Sequence, residues 1–147
     1  MKLATASLAA ALALSLAACA AQPAPGEMAG VLPPAPPPGT RLASADCFRS
    51  ADIRNHTIGD SRTLFLSVRN RDVYRVGMSG ACLAGAFPSD FLVTRQPPGS
   101  SLICAPIDMD VAISKGTSGG FETPCIVESI VRLTPAQVAA LPPKLRP

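Results

Sequence analysis

In 147 residues the chain has no tryptophan, one tyrosine, five phenylalanines and one histidine. With so few rings, a core must rest on aliphatic side chains and needs other support. A single imidazole leaves little for a metal centre or for acid–base chemistry that needs several histidines. No C-x-x-C pair occurs, so the cysteines do not read as metal ligands. An excess of one charge is also lacking: 13 basic residues stand against 10 acidic ones, formally +3. Dedicated nucleic-acid binding needs a strongly basic face, so nucleic acid is not an expected partner. No cofactor motif is present, and no cofactor is expected.

What is present begins with an address. Lys2 supplies a positive start, Leu3 to Leu16 is mostly Ala and Leu, and the small residues Ala17 and Ala18 precede Cys19. These are the three parts of a secretory signal. The apolar run approaches the ~20 residues that span a bilayer. However, Gln22, Pro23 and Pro25 follow it with no basic stop-transfer cluster, which favours cleavage over an uncleaved anchor. Leu16-Ala17-Ala18-Cys19 resembles the lipobox of bacterial lipoproteins. The resemblance implies a signal peptide over residues 1–18, a diacylglycerol on the Cys19 sulfur and a further acyl chain, such as palmitate, on its new amine. Each buried CH₂ contributes about 0.8 kcal/mol, so two or three chains anchor far better than one. Residue 20 is Ala rather than Asp; by resemblance to the enteric sorting rule, this points to the outer membrane, facing the periplasm.

Loss of Lys2 with the leader lowers the formal charge from +3 to +2. Residues 19–43 then read as a lipidated cysteine and a linker. Pro23, Pro25, Pro33, Pro34, Pro36, Pro37 and Pro38 are interrupted by Gly26, Gly30 and Gly39. Proline fixes φ and removes a donor, so polyproline II is expected, at ~3.1 Å per residue.

Residues 44–147 form one domain, long enough for one core. Its four cysteines, Cys47, Cys82, Cys104 and Cys125, are an even count in an exported chain and so imply two disulfides. Three pairings are possible. The preferred one joins Cys47 to Cys125 around a nested Cys82–Cys104, because it ties the first element to the last. In the chain-entropy model each bridge contributes roughly 3–4 kcal/mol.

Strand periodicity dominates this domain. Leu64, Leu66 and Val68 alternate with Thr63, Phe65 and Ser67; after the turn Arg69-Asn70-Arg71-Asp72, Tyr74, Val76 and Met78 return on one face. This is a β-hairpin. Asn55 to Asp60 carries turn chemistry, Phe91 to Thr94 is a short strand, and Ile107, Met109 and Val111 alternate with Asp108 and Asp110. Cys125 to Leu133 is the last strand. Thr134-Pro135-Ala136-Gln137 opens a short helix with a capping box, stopped by Pro142-Pro143. The expected fold is mainly β: a small antiparallel sheet or barrel of five to six strands with a short C-terminal helix.

Candidate chemistry is sparse. His56 is a lone histidine in a polar turn, and its ordinary reading is a hydrogen-bonded surface residue rather than a catalyst. Asp108 and Asp110 share a strand face and could act as an acid/base pair or as oxygen ligands of a hard cation; the plainer reading is a solvated face. Ser114 to Gly120 has phosphate-loop composition without the P-loop spacing. Gly77-Met78-Ser79-Gly80-Ala81 misses G-x-S-x-G at its last position. No catalytic residue or metal ligand is assigned. Arg69, Arg71 and Arg75 cluster at the hairpin, where guanidinium forks could bind carboxylates or phosphates; charge at a hairpin edge also blocks strand addition.

Taken together, Cys47 with Asp52-Ile53, the hairpin through Asp72-Val73-Tyr74, Cys82, Cys104-x-x-x-Asp108 and Cys125 resemble a family of small uncharacterised Gram-negative lipoproteins, a domain of unknown function. The resemblance implies an exported, disulfide-bonded β domain and carries over no activity. The expected role is a non-enzymatic binding or scaffolding module anchored through Cys19, with an envelope protein, lipid headgroup or cell-wall partner at Arg69, Arg71 and Arg75. The alternatives are a small hydrolase or cation-dependent enzyme using Asp108 and Asp110, and a purely structural envelope lipoprotein.

Overall fold

The structure, a computed structural model, describes residues 32–87, 90–95, 102–114 and 122–147. The signal segment and Cys19 lie outside the described residues, as do the Gln96–Ser100 loop and the centre of the Gly-rich loop.

The described residues are mainly β, with one short helix. The strands are β1 (Ile53–Asp60), β2 (Thr63–Val68), β3 (Asp72–Met78), β4 (Phe91–Arg95), β5 (Asp110–Ser114), β6 (Glu122–Cys125) and β7 (Val127–Arg132), and α1 is Pro135–Ala140. They form two antiparallel sheets, ordered β1-β2-β3-β7 and β4-β5-β6, rather than one sheet or barrel. The hairpin β2–β3 forms as its alternation predicts. Two differences raise the strand number to seven. Asn55 to Asp60, read as a turn, belongs to β1. This is an edge strand whose Arg54, Asn55 and Asp60 face solvent while its backbone pairs with β2. The last strand is really two, each in a different sheet, and the break falls at Ile126, which is 74% exposed.

The main core lies between the sheets. Leu64, Leu66, Val68, Tyr74, Val76 and Met78 from the larger sheet meet Val111, Ile113 and Cys125 from the smaller one. Phe48 packs its ring 4.5 Å from that of Tyr74. A second, smaller core covers the other face of the larger sheet, where Phe65 and Val73 meet Leu133, Leu141 and Leu145. The capping box of α1 is formed: Gln137 N–H donates to Thr134 Oγ1 at 3.3 Å, and Thr134 N–H donates to Gln137 Oε1 at 2.8 Å. Leu32 packs on the second core and Leu42 on the first, and Leu42 N–H donates to Cys104 O at 2.6 Å. The end of the proline-rich stretch therefore lies against the domain.

The disulfides are Cys47–Cys104 and Cys82–Cys125, not the preferred Cys47–Cys125 with Cys82–Cys104. The cause is local pairing. Phe48 and Ile103 exchange backbone hydrogen bonds at 3.1 and 2.7 Å, which sets Cys47 beside Cys104. Ser79 N–H donates to Ile126 O at 2.8 Å, which draws the turn after β3, and with it Cys82, toward Cys125.

Candidate functional site

The hairpin arginines do not form one surface. Arg69 and Asn70 adopt φ of 54° and 57°, the left-handed pair of a hairpin turn whose twist matches the strands. A residue as large as arginine needs support there, and Asp52 supplies it. The Asp52 carbonyl accepts Arg69 N–H at 2.9 Å, and its Oδ2 accepts Arg69 Nε and Nη2 at 3.0 and 2.8 Å. The hydrogen bonds from Arg69 hold the Asp52 carboxyl below its ordinary range. Arg69 is thus a strut of the turn.

Arg71 is exposed, with Nε 3.5 Å from Asp72 Oδ2. The other carboxylate oxygen, Oδ1, accepts Arg132 Nη2 at 2.6 Å, and Arg132 Nη1 donates to Asp46 Oδ1 at 2.9 Å. Burial opposes ionisation of Asp72, but the hydrogen bonds and charges of Arg132 and Arg71 outweigh it and keep its carboxyl below the ordinary range. One carboxylate therefore sets two guanidiniums side by side. Arg146 approaches from the segment after α1, donating from Nε to Leu141 O at 2.9 Å and from Nη2 to Ala139 O at 2.6 Å. Arg71, Arg132 and Arg146 line one cleft of about 620 Å³, in which Asp72 is the one acid among the described lining residues and Leu133, Pro135 and Val138 form an apolar floor. No sequence pattern linked these arginines. Arg132 ends the last strand and is set opposite Tyr74 by the pairing of β7 with β3, whereas Arg146 follows the helix and reaches the hairpin tip through the packing of α1 under the sheet.

Arg75 sits elsewhere, half-buried on the sheet face that carries Phe65, and burial lowers its pKa. Its Nη2 is buried and has no hydrogen-bond partner among the described residues.

His56 lies on β1 opposite Leu66, half-buried, and its Nε2 is buried without a hydrogen-bond partner among the described residues. Burial lowers its pKa below 6.5, against a smaller opposing contact with the Asp90 backbone. A depressed histidine pKa means that the unfolded chain takes up its proton first as pH falls. Stability is expected to decline as pH drops below about 6.5, a range above that in which Asp52 and Asp72 titrate. In thermal melts, His56→Gln should flatten the curve in that upper range and leave the acid limb unchanged.

The aspartate pair does not share a strand face. Pro106–Asp108 is a 3-10 turn, and Asp108 Oδ2 accepts the N–H groups of Cys104 and Ala105 at 3.0 and 2.8 Å. Asp110 starts β5 and is exposed. The turn also rotates Ile107 outward, leaving it 81% exposed. Asp108 thus fixes the loop beside the Cys47–Cys104 bridge. Ser79 lies exposed in the turn after β3, and Lys115 to Gly120 lie outside the described residues.

No curated protein and no solved structure matches the chain. A family model, described as a family of unknown function (DUF6491), matches residues 1–146, and the chain belongs to that family.

Proposed function

We propose that the chain is a lipoprotein of the cell envelope, anchored in the outer membrane through lipid on Cys19, and that its β domain is a non-enzymatic binding or scaffolding module. The Leu16-Ala17-Ala18-Cys19 segment supports the anchor. Two disulfides in a small domain fit an oxidising compartment. The observation that carries the binding role is the cleft where Arg71, Arg132 and Arg146 converge over an apolar floor. The guanidiniums of Arg132 and Arg146, already held by carboxylates and carbonyls, lose little freedom on meeting an anion. The partner is therefore a surface presenting an anionic group beside apolar contact: an envelope protein, a lipid headgroup or a wall fragment. A hydrolytic or cation-dependent role for Asp108 and Asp110 finds no support in the geometry, since Asp108 is bound to backbone N–H groups.

Two variants test this reading. Cys19→Ala should move the protein from the membrane to the soluble periplasmic fraction. Arg71→Glu inverts a 74%-exposed charge with one weak pairing, so it should leave melting nearly unchanged while abolishing co-purification of the partner. Retained co-purification would place the binding surface elsewhere, and absence of any partner in the parent protein would favour a purely structural envelope role.

A further inference from the structure

A second site lies apart from the cationic cleft. On the larger sheet, Thr63, Gly77 and Ser129 form one row across β2, β3 and β7, and Phe65, Arg75 and Val131 form the next row on the same face. The small core under α1 covers the Phe65 and Val73 end of this face. Beyond it, a groove of about 760 Å³ opens over the Gly77 row, walled by Pro33 and Pro34. This is within the size range of small-ligand sites. Thr63, Arg75 and Ser129 all line it. Ser129 is 4% exposed and packs so closely over Gly77 that a Cβ there would stand 2.4 Å from its Oγ. The glycine thus makes room for the serine.

The groove carries charges of both signs. Arg75 lines the groove with a half-buried guanidinium whose Nη2 is buried and has no partner among the described residues, and a guanidinium in that state favours an oxyanion. Two carboxylates, Asp60 and Glu128, and a second guanidinium, Arg62, line the same groove. Glu128 is held 3.5 Å from Arg62, a pair exposed to solvent, and Asp60 Oδ1 accepts Arg62 N–H at 2.7 Å. With Arg62 and Arg75 against Asp60 and Glu128, the lining is balanced in charge, so it offers no net attraction to a multiply charged anion such as phosphate and suits a ligand that carries a cation and an anion together.

We infer that this groove binds a zwitterionic amino acid or short peptide, its carboxylate on Arg75 with the hydroxyls of Thr63 and Ser129, and its ammonium toward Asp60 and Glu128. The inference goes beyond the proposed partner surface and does not depend on it.

The test is titration of the folded, disulfide-bonded protein with glycylglycine, acetate, ethylamine and inorganic phosphate, read by amide NMR shifts and by melting temperature. Glycylglycine should give saturable shifts at Thr63, Gly77 and Ser129 and raise the melting temperature. Acetate should act at least tenfold more weakly, and ethylamine and phosphate should not saturate. Without ligand, Arg75→Gln should melt at the same or a higher temperature, because it removes a half-buried charge whose Nη2 has no partner among the described residues; with glycylglycine it should not respond. Ser129→Ala, which removes only the hydroxyl, should weaken the response several-fold, and Arg71→Glu should not change it. Three results would overturn the inference: no saturable response to glycylglycine, saturation by phosphate alone, or an Arg75→Gln protein that melts well below the parent, which would make Arg75 a structural strut.

Discussion

Replacing Cys82 and Cys125 together by serine is expected to lower stability by about 4 kcal/mol, and replacing Cys47 and Cys104 by slightly more. The bridges join residues 43 and 57 positions apart, and in the chain-entropy model loops of these lengths each contribute about 4 kcal/mol by restricting the unfolded chain. Domains of this size have only about 5–15 kcal/mol in total, so loss of both bridges should leave the chain largely unfolded at 37 °C. The bridges act at different places. Cys47–Cys104 binds the segment before β1 to the loop before β5, and Cys82–Cys125 binds the turn after β3 to the end of β6. Denaturant titration of each double variant measures the cost, and non-reducing peptide mapping checks the pairing. Linked fragments should contain Cys47 with Cys104 and Cys82 with Cys125. A fragment linking Cys47 to Cys125 would contradict the Phe48–Ile103 pairing that sets Cys47 beside Cys104.

Phe65→Ala is expected to cost about 3–5 kcal/mol, the range for deleting a fully buried ring. Phe65 has no exposed surface, although it points away from the main core. It anchors the second core, where the sheet meets Leu133, Leu141 and Leu145, with Val138 and Leu32 at the margin. This cluster is what holds α1, because six residues are too few for an independent helix. Loss of the ring should therefore loosen the C-terminal layer beyond its effect on the sheet. Hydrogen exchange should rise more for the amides of Val138 and Leu141 than for those of Leu66 or Val76. A Phe65→Ala, Leu141→Ala cycle should be non-additive by more than about 0.5 kcal/mol, as for residues sharing one cavity. A cost below about 1 kcal/mol, or additive behaviour, would mean that α1 is held by other contacts.

How far the fold could be read from sequence follows from which interactions are local. The β2–β3 hairpin and the capping box of α1 were legible because alternation, the Arg69-Asn70 turn and the Thr134/Gln137 pair are written within a few residues. β1 was not, because an edge strand with a wet side lacks clean alternation, and Asn55, Gly59 and Asp60 are also turn residues. The exit at Ile126 was hidden because an isoleucine in an apolar run gives no sign that its backbone leaves one sheet for another. The disulfide pairing failed for a related reason: it follows from the Phe48–Ile103 bridge, a contact between segments far apart in the chain. The candidate site shows the same division. Arg69, Arg71 and Arg75 were visible as a cluster in sequence, yet one braces a turn, one lines a cleft and one lies on the far groove. Arg132 and Arg146, which complete the cleft, reach it only through tertiary packing.

The most direct test of the binding role is photo-crosslinking in living cells, with the probe replacing Ala139, an exposed residue that lines the cleft without contributing a guanidinium, and a control probe at exposed Thr123 on β6. A discrete protein, lipid or wall-fragment adduct at Ala139 that is absent at Thr123 and lost with Arg71→Glu is the predicted result. Equal adducts at both positions, or adducts at Ala139 that survive the charge reversal, would contradict a binding module centred on this cleft.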